Sequence, residues 1–151
     1  MSDQNVGPAR FVLPQILLLI IGAFYLLWGI TGLFFLGDPA TDLVGHDTGR
    51  LLLGVELNGV QSLAHVVIAI VALGGAAAVS AARISGVAVF VGCLVLVVVG
   101  LLGAVRPELN VFSVNFAGTL IHALTALVAL GAVFARVHTP PGQQAGPAHP
   151  R

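Results

Sequence analysis

The chain has 151 residues, of which 58% are hydrophobic and 8% are charged, and its mean hydropathy is +1.05. A soluble domain carries about 25% charged residues and about 45–50% apolar ones, so this composition indicates an integral membrane protein. Six arginines balance six acidic residues, which leaves no basic surface for nucleic acid. The single cysteine excludes an intrachain disulfide.

Four apolar stretches are long enough to cross a bilayer, because about 20 helical residues span a hydrocarbon core of about 30 Å. We predict an all-α four-helix bundle with transmembrane helices at about 13–36, 62–82, 84–105 and 116–135. The short segment "ARIS" would then join the second helix to the third as a tight hairpin. Residues 1–10 are predicted to be an N-terminal cytoplasmic tail, 11–136 the transmembrane domain, and 137–151 a disordered C-terminal tail.

The arginines predict the orientation, because short loops rich in basic residues stay in the cytoplasm. Four of the six fall on one side of the four-span topology: Arg10, Arg83, Arg136 and Arg151. We therefore expect both termini in the cytoplasm and the protein in the inner (plasma) membrane. The chain has no lysine and is rich in Ala, Gly and Val, a bias associated with GC-rich bacterial genomes.

The first outer loop, "GDPATDLVGHDTGR", is long and contains four side chains that could bind a cation. They are Asp38, Asp42, His46 and Asp47. Their spacing lacks the order of an EF-hand, so we predict a solvated loop that tolerates shortening.

A polar pattern occurs twice, 57 residues apart, in "NGVQSLAH" (58–65) and "NFAGTLIH" (115–122). Each copy places an asparagine, a hydroxyl and a histidine at i, i+4 and i+7, which lie on one face of a helix. Polar residues facing lipid would be costly, so both stripes should face the bundle interior. The two polar stripes are Asn58, Ser62, His65 and Asn115, Thr119, His122.

The glycines "GITG" (29–32) and "GLLG" (100–103) align the first and third helices more weakly, at an offset of 71. We expect these glycines to bring the first and third helices together. Each repeat is then a helix-loop-helix unit with two spans, so the two units should be parallel repeats about an axis along the membrane normal.

The Asn-x3-polar-x2-His pattern, the glycine-spaced first and third helices and the overall length resemble a known family. It comprises the actinobacterial four-helix membrane proteins catalogued as domain of unknown function 4383. The resemblance covers about residues 11–135 and implies the same topology, but that family has no established activity. Its middle polar position is often asparagine, whereas this chain has Ser62 and Thr119.

Three functions are compatible with the polar stripes. In the preferred one, asparagine caps each helix and the hydroxyl and imidazole groups bond to neighbouring helices, in a structural or accessory protein without a cofactor. Such a protein could act as a homo-oligomer or within a larger membrane complex. Alternatively, His65 and His122 bind haem or a metal ion, or belong to a proton or small-solute pathway. No nucleophile elbow, phosphate-binding loop or carboxylate pair indicates an enzyme.

Overall fold

The computed structural model describes residues 11–36, 42–45 and 49–136, which form a bundle of four α-helices. They are α1 (Leu13–Phe34), α2 (Gly59–Gly75), α3 (Val79–Gly103) and α4 (Phe116–Phe134). A short antiparallel hairpin, β1 (Leu51–Leu52) and β2 (Val55–Glu56), precedes α2, and a 3-10 helix, Pro107–Leu109, follows α3. The predicted all-α bundle is confirmed, and both predicted tails lie outside the described residues.

Three helices within the described residues, α1, α3 and α4, are long and apolar enough to cross a membrane. The 17 residues of α2 extend about 26 Å, slightly less than a hydrocarbon core of about 30 Å. Large apolar side chains that a soluble protein would bury are exposed on the outer faces, among them Leu27, Ile84 and Phe134. The outer surface of the bundle therefore suits a lipid environment.

The turn between α2 and α3 lies at residues 76–78, so the predicted helix boundaries at 82 and 84 are wrong. Gly74 and Gly75 end α2 early because glycine has a low helix propensity. The missing side chain at Gly75 also lets Ser85 of α3 pack directly against α2. "ARIS" lies within α3, where Arg83 Nη2 donates to the carbonyl of Ala135 at 3.4 Å, just beyond the end of α4.

Glycines set which helices pack closely. A methyl group at Gly32 would overlap the side chain of Ser62, and one at Gly100 would overlap Thr119. The glycines therefore pair α1 with α2 and α3 with α4. The prediction that they join the first helix to the third is wrong, because Gly29 and Gly32 lie against Ser62 of α2 and Gly100 lies against Thr119 of α4.

The first outer loop is not fully solvated. Asp42 is buried and accepts from Nε of Arg50 at 2.6 Å, and Nη1 of Arg50 donates to the carbonyl of Phe35 at 2.8 Å. The expectation of a solvated loop is wrong at Asp42, because its carboxylate is paired with an arginine that also holds the end of α1. The other candidate ligands, Asp38, His46 and Asp47, lie outside the described residues.

The bundle interior changes character along its length. In the half nearer the α2–α3 turn the buried residues are mostly apolar and include five alanines of α2 and α4, each at most 5% exposed: Ala69, Ala72, Ala126, Ala129 and Ala132. Small side chains let helices approach closely in a membrane. The opposite half contains the buried polar residues of both stripes.

Candidate functional site

Asparagine begins both stripe helices and caps each of them. Asn58 Oδ1 accepts from the backbone N–H of Gln61 at 2.8 Å, and Asn115 Oδ1 accepts from that of Gly118 at 3.0 Å. Each bond satisfies one of the amide donors left unpaired at the start of a helix. The capping role predicted from the sequence is thus present in α2 and in α4.

The stripe hydroxyls bond within their own helices. Ser62 Oγ donates to the carbonyl of Asn58 at 2.8 Å, and Thr119 Oγ1 donates to that of Asn115 at 3.0 Å. The predicted hydroxyl bonds between helices are therefore wrong. Serine and threonine readily donate to the carbonyl four residues earlier, and the glycine opposite each hydroxyl offers no side-chain acceptor.

The two asparagine side chains also cross between the halves of the molecule. Asn58 Nδ2 donates to the carbonyl of Val111 at 2.8 Å and to that of Gly45 at 2.9 Å. Asn115 Nδ2 donates to the carbonyl of Gly54 at 2.8 Å. Val111 follows Gly54 by 57 residues, just as Asn115 follows Asn58, so each half donates to the equivalent loop of the other. We call this pair of crossed bonds the asparagine clasp.

The two stripe histidines meet at the centre of the bundle. The ring centroids of His65 and His122 are 5.3 Å apart, and the two residues are 2% and 1% exposed. The ring of Tyr25, from α1, lies edge-on to His65 at a centroid distance of 5.1 Å. The structure thus brings together the two histidines predicted as site residues and adds a tyrosine to them.

A cluster of hydrogen bonds surrounds the hydroxyl of Tyr25. Thr125 Oγ1 donates to the carbonyl of Ile121 at 2.9 Å and accepts from the hydroxyl of Tyr25 at 3.2 Å. The same hydroxyl lies 2.8 Å from Nδ1 of His122 and 3.6 Å from Sγ of Cys93. One oxygen atom of α1 therefore contacts both α3 and α4.

Several buried polar atoms have no hydrogen-bond partner among the described residues. They include both ring nitrogens of His65 and Nε2 of His122. The side-chain amide of Gln61 is likewise without a partner there. The prediction that a neighbouring helix satisfies the imidazole N–H of His65 is therefore wrong within this part of the chain, whereas the Tyr25 contact satisfies Nδ1 of His122.

A small cavity, which we call the histidine chamber, lies beside the two histidine rings. Its volume of about 10 Å³ holds roughly one water-sized atom. Rings form most of its wall, with three smaller or aliphatic residues completing it: Phe24, Tyr25, Trp28, His65 and His122, then Val55, Gly118 and Ile121. The chamber is far smaller than the several hundred Å³ of a cofactor pocket, so it does not accommodate a haem.

A zinc ion would also lack a complete set of ligands among the described residues. The described residues contain no group of three or more His, Cys, Asp or Glu placed to hold a metal ion. A zinc site needs three or four protein ligands, and the two histidines supply two.

Tyr25 is the residue that sequence reasoning missed. It is the one tyrosine of the chain and lies mid-span, whereas tyrosines of membrane helices are enriched at the bilayer interfaces. A tyrosine at that position indicates that its hydroxyl has a buried hydrogen-bond partner. Gln15 was also missed: its Nε2 donates to the carbonyl of Ala76 at 2.9 Å and joins the start of α1 to the end of α2.

The chain was compared with protein families, curated proteins and solved structures. The family model described as Domain of unknown function (DUF4383) matches residues 15–135, a range that contains the clasp, the histidines and Tyr25. No curated protein and no solved structure matches the chain.

Proposed function

Because the chain belongs to the family described as Domain of unknown function (DUF4383), whose description assigns no activity, we propose that it is a structural or accessory protein of the membrane. It has no enzymatic role in this proposal. Three buried or half-buried polar residues join one element to another: Asn58 and Asn115 link the loops, and Tyr25 links α1 to α4.

The observation that carries this proposal is the asparagine clasp. Two asparagines separated by 57 residues donate to two carbonyls separated by the same interval, each in the other half of the chain. Such an exchange is what a twofold relation between equivalent surfaces produces. We infer that residues 13–75 and 79–134 are two parallel helix-loop-helix repeats, and that the asparagines of the polar stripes hold these repeats together around an axis between the histidines.

The remaining features of the proposal concern the setting. Four membrane spans are proposed, with α2 as a short span, both termini in the cytoplasm and the plasma membrane of an actinobacterium as the location. Arg83 lies against the end of α4, close to Arg136, which supports one cytoplasmic side for both. A homo-oligomer or a larger membrane complex is the expected partner, through the apolar outer faces, and no nucleic acid is expected because the net charge is zero.

The other functions considered for the stripes receive less support. The histidine chamber is too small for haem, and the two histidines lack a third metal ligand among the described residues. A proton pathway would have to continue past the histidines, where the buried residues are mostly apolar, such as Leu18, Ala72 and Ala129. An apolar, tightly packed interior offers no hydrogen-bonded route for a proton or a polar solute.

Two measurements on the full-length protein purified from membranes test this proposal. The first is an absorption spectrum with elemental analysis, for which we expect no stoichiometric haem or metal. Haem or a transition metal at one equivalent, lost on replacing either His65 or His122, would overturn the structural function.

The second measurement is the free energy of unfolding of clasp variants. Asn58→Ser keeps a good N-cap residue but is too short to reach Val111, so it should lower the free energy of unfolding by about 1–3 kcal/mol. Asn115→Ser, at a half-buried position, should cost about 0.5–1.5 kcal/mol. Unchanged stability in both variants would show that the clasp does not hold the bundle together.

A further inference from the structure

The outer loop of the first repeat covers the start of its own second helix. A methyl group at Gly59, the first residue of α2, would lie 2.8 Å from the side chain of Leu43. The carbonyl of Leu43 accepts from the backbone N–H of Val60 at 2.9 Å, and that of Gly45 accepts from Nδ2 of Asn58 at 2.9 Å. The loop thus supplies one apolar side chain and two carbonyl groups to the start of α2.

The start of α4 lacks this cover. Residues 35–58 join α1 to α2, whereas residues 104–115, half as many, join α3 to α4. Phe116, the first residue of α4, lies 57 positions after Gly59 and is 78% exposed. Asn115 is half-buried, whereas Asn58 is completely buried. The start of α4 is therefore open where the start of α2 is closed.

The glycine contacts show which residues of the two helix pairs correspond. Two such contacts occupy equivalent places in the two repeats: Gly32 with Ser62 and Gly100 with Thr119. They place α3 68 residues after α1, three fewer than the offset of 71 aligned from the sequence. At this offset the counterpart of Leu36, whose side chain would lie 3.3 Å from a methyl group at Gly59, is Ala104. The second repeat therefore has a smaller side chain at one position of this surface and no loop over it.

The uncovered place is a cleft of about 540 Å³, which we call the α3–α4 cleft. The end of α3, the loop that follows it and the start of α4 line the cleft with residues that include Ala104, Pro107 and Phe116. Asn115 and Glu56 line it as well, so the cleft continues the interface between the two halves that the clasp forms. Glu56 is the one charged residue of this lining.

Two donors at the start of α4 lack the carbonyl groups that their counterparts in α2 bind. The backbone N–H of Ala117, the counterpart of that of Val60, has no partner among the described residues. In the same part of the chain, Nδ2 of Asn115 donates to one carbonyl, whereas Nδ2 of Asn58 donates to two. One apolar side chain and two carbonyl groups are thus what the second repeat lacks relative to the first, and a segment of polypeptide supplies both.

We propose that the α3–α4 cleft binds an extended segment of a partner membrane protein that carries a leucine-sized aliphatic side chain and no acidic residue. The aliphatic side chain enters the cleft beside Ala104, and the backbone carbonyls of the segment accept from Ala117 and Asn115, as the first loop does at α2. An acidic residue is excluded because like charges repel and the lining contains Glu56. The inference rests on the two-repeat relation proposed above.

The side chain of Phe116 is compatible with such a segment. A Cβ atom at the equivalent Gly59 would lie 3.2 Å from Cα of Leu43, so the backbone of the loop would shift by only a few tenths of an ångström. The closer contact, at 2.8 Å, is with the end of the leucine side chain, which can rotate away. A segment bound at α4 therefore needs a different rotamer from that of Leu43 and only a small displacement of its backbone.

Photocrosslinking of the full-length protein in phosphatidylcholine nanodiscs with a defined peptide tests this assignment. The probe is a synthetic peptide of residues 41–46 of the first loop, with Asp42→Asn and a benzophenone group at its amino end. The matched peptide differs from it by Leu43→Ala. We expect the probe to crosslink to residues 104–120, and the matched peptide to do so about tenfold less, because it lacks most of the apolar side chain.

Variants decide whether the cleft is responsible. Ala117→Pro removes one donor at the second position of α4, where α1 has Pro14, and should reduce crosslinking about fivefold. Ala104→Trp fills the cleft and should reduce crosslinking to the level of the matched peptide. Gly131→Ala is the control on α4, because Gly131 has open space around it, and its crosslinking should not change. Thermal unfolding of each variant verifies folding, and if Ala117→Pro does not fold, Ala104→Trp carries the test alone.

Three results would overturn the assignment. Equal crosslinking by the two peptides, or by the probe to wild type and Ala104→Trp, would mean that the peptide contacts the nanodisc surface without entering the cleft. Crosslinks on residues 57–66 would mean that the peptide displaces the first loop from α2 instead. Labelling of residues 104–120 by a phosphatidylcholine with a diazirine in one chain, undiminished by excess peptide, would assign the cleft to lipid.

Failure of this assignment is distinguishable from failure of the structural function. The structural function fails if Asn58→Ser and Asn115→Ser leave the free energy of unfolding unchanged, a measurement that involves no peptide. Loss of stability in those variants together with any of the three results above would leave the clasp in place and remove the cleft as a docking site.

Discussion

Replacing Tyr25 with phenylalanine removes one oxygen atom from the centre of the bundle and leaves the aromatic ring in place. The lost hydroxyl is hydrogen-bonded to Nδ1 of His122 and donates to Thr125, joining α1 to α4 at two points. Tyr25 and His122 are each 1% exposed, so Nδ1 of His122 gains no access to water. The substitution therefore tests a buried polar contact without opening a cavity.

The expected cost follows from what is left behind. Thr125 keeps its bond to the carbonyl of Ile121 and loses only a donor to its oxygen. Nδ1 of His122 becomes a buried polar atom without a partner, which costs about 1–3 kcal/mol. The loss of stability should therefore be about 2 kcal/mol, a large part of a total unfolding free energy of about 5–15 kcal/mol.

The assay is the free energy of unfolding of the purified full chain in mixed detergent. Thr31→Val is a control on the same helix, because it removes a half-buried hydroxyl that lines an open groove beside Leu27 on the outer face of α1, and it should cost less than about 0.5 kcal/mol. Combining Tyr25→Phe with His122→Leu should reveal a coupling energy of about 1 kcal/mol or more, since the two residues share one bond. A Tyr25→Phe protein as stable as the wild type, or strict additivity of the pair, would refute this reasoning.

Three further predictions concern the histidines, the glycines and the topology. His65→Leu should change the free energy of unfolding by less than about 1 kcal/mol, because the nitrogens of His65 make no bond in the described residues. His122→Leu should lower the free energy of unfolding by about 1–3 kcal/mol, because it removes the bond to Tyr25. Equal losses for the two variants in unfolding titrations would contradict this prediction. Gly32→Ala should lower the free energy of unfolding by about 1–3 kcal/mol, because the added methyl group forces α1 away from α2. Gly74→Ala should raise it by up to about 1 kcal/mol, because Gly74 has open space around it. The same titration measures both changes. A cysteine introduced into the C-terminal tail of a cysteine-free variant should resist an impermeant thiol reagent in intact cells, and labelling there would reverse the proposed orientation.

Much of the fold could be predicted from the sequence, because the predicted apolar stretches are long enough to cross a membrane and contain no charges. The ends of α4 at 116 and 134 lie within one residue of the predicted range. The predicted position of the α2–α3 turn was wrong because the whole region is apolar. The hydrophobicity of its glycines and alanines does not indicate where one helix ends and the next begins. There, packing of Ser85 onto Gly75 decides where the chain reverses.

The contacts of the candidate site that are local in sequence could be predicted, whereas those between distant residues could not. Local roles such as the caps of Asn58 and Asn115 follow from residue type and position in a helix. The clasp and the Tyr25–His122 bond join residues 53 to 97 positions apart, and no periodicity within a single helix contains that information. The repeated pattern around the two asparagines predicts that they have equivalent environments. Only the three-dimensional structure shows that each asparagine donates to a loop of the other half of the chain.

The most direct test of the central claim, that two equivalent units are held together by the asparagine clasp, is to express them as separate chains. Residues 1–77 and 78–151 would be produced together, with an affinity tag on one of them, and the amount of the untagged half in the purified complex would be measured. We predict equal amounts of the two halves, and a marked loss of the untagged half when Asn58→Ser and Asn115→Ser are combined. Recovery of the tagged half alone and folded, or unchanged recovery of both halves without the two asparagines, would contradict the claim.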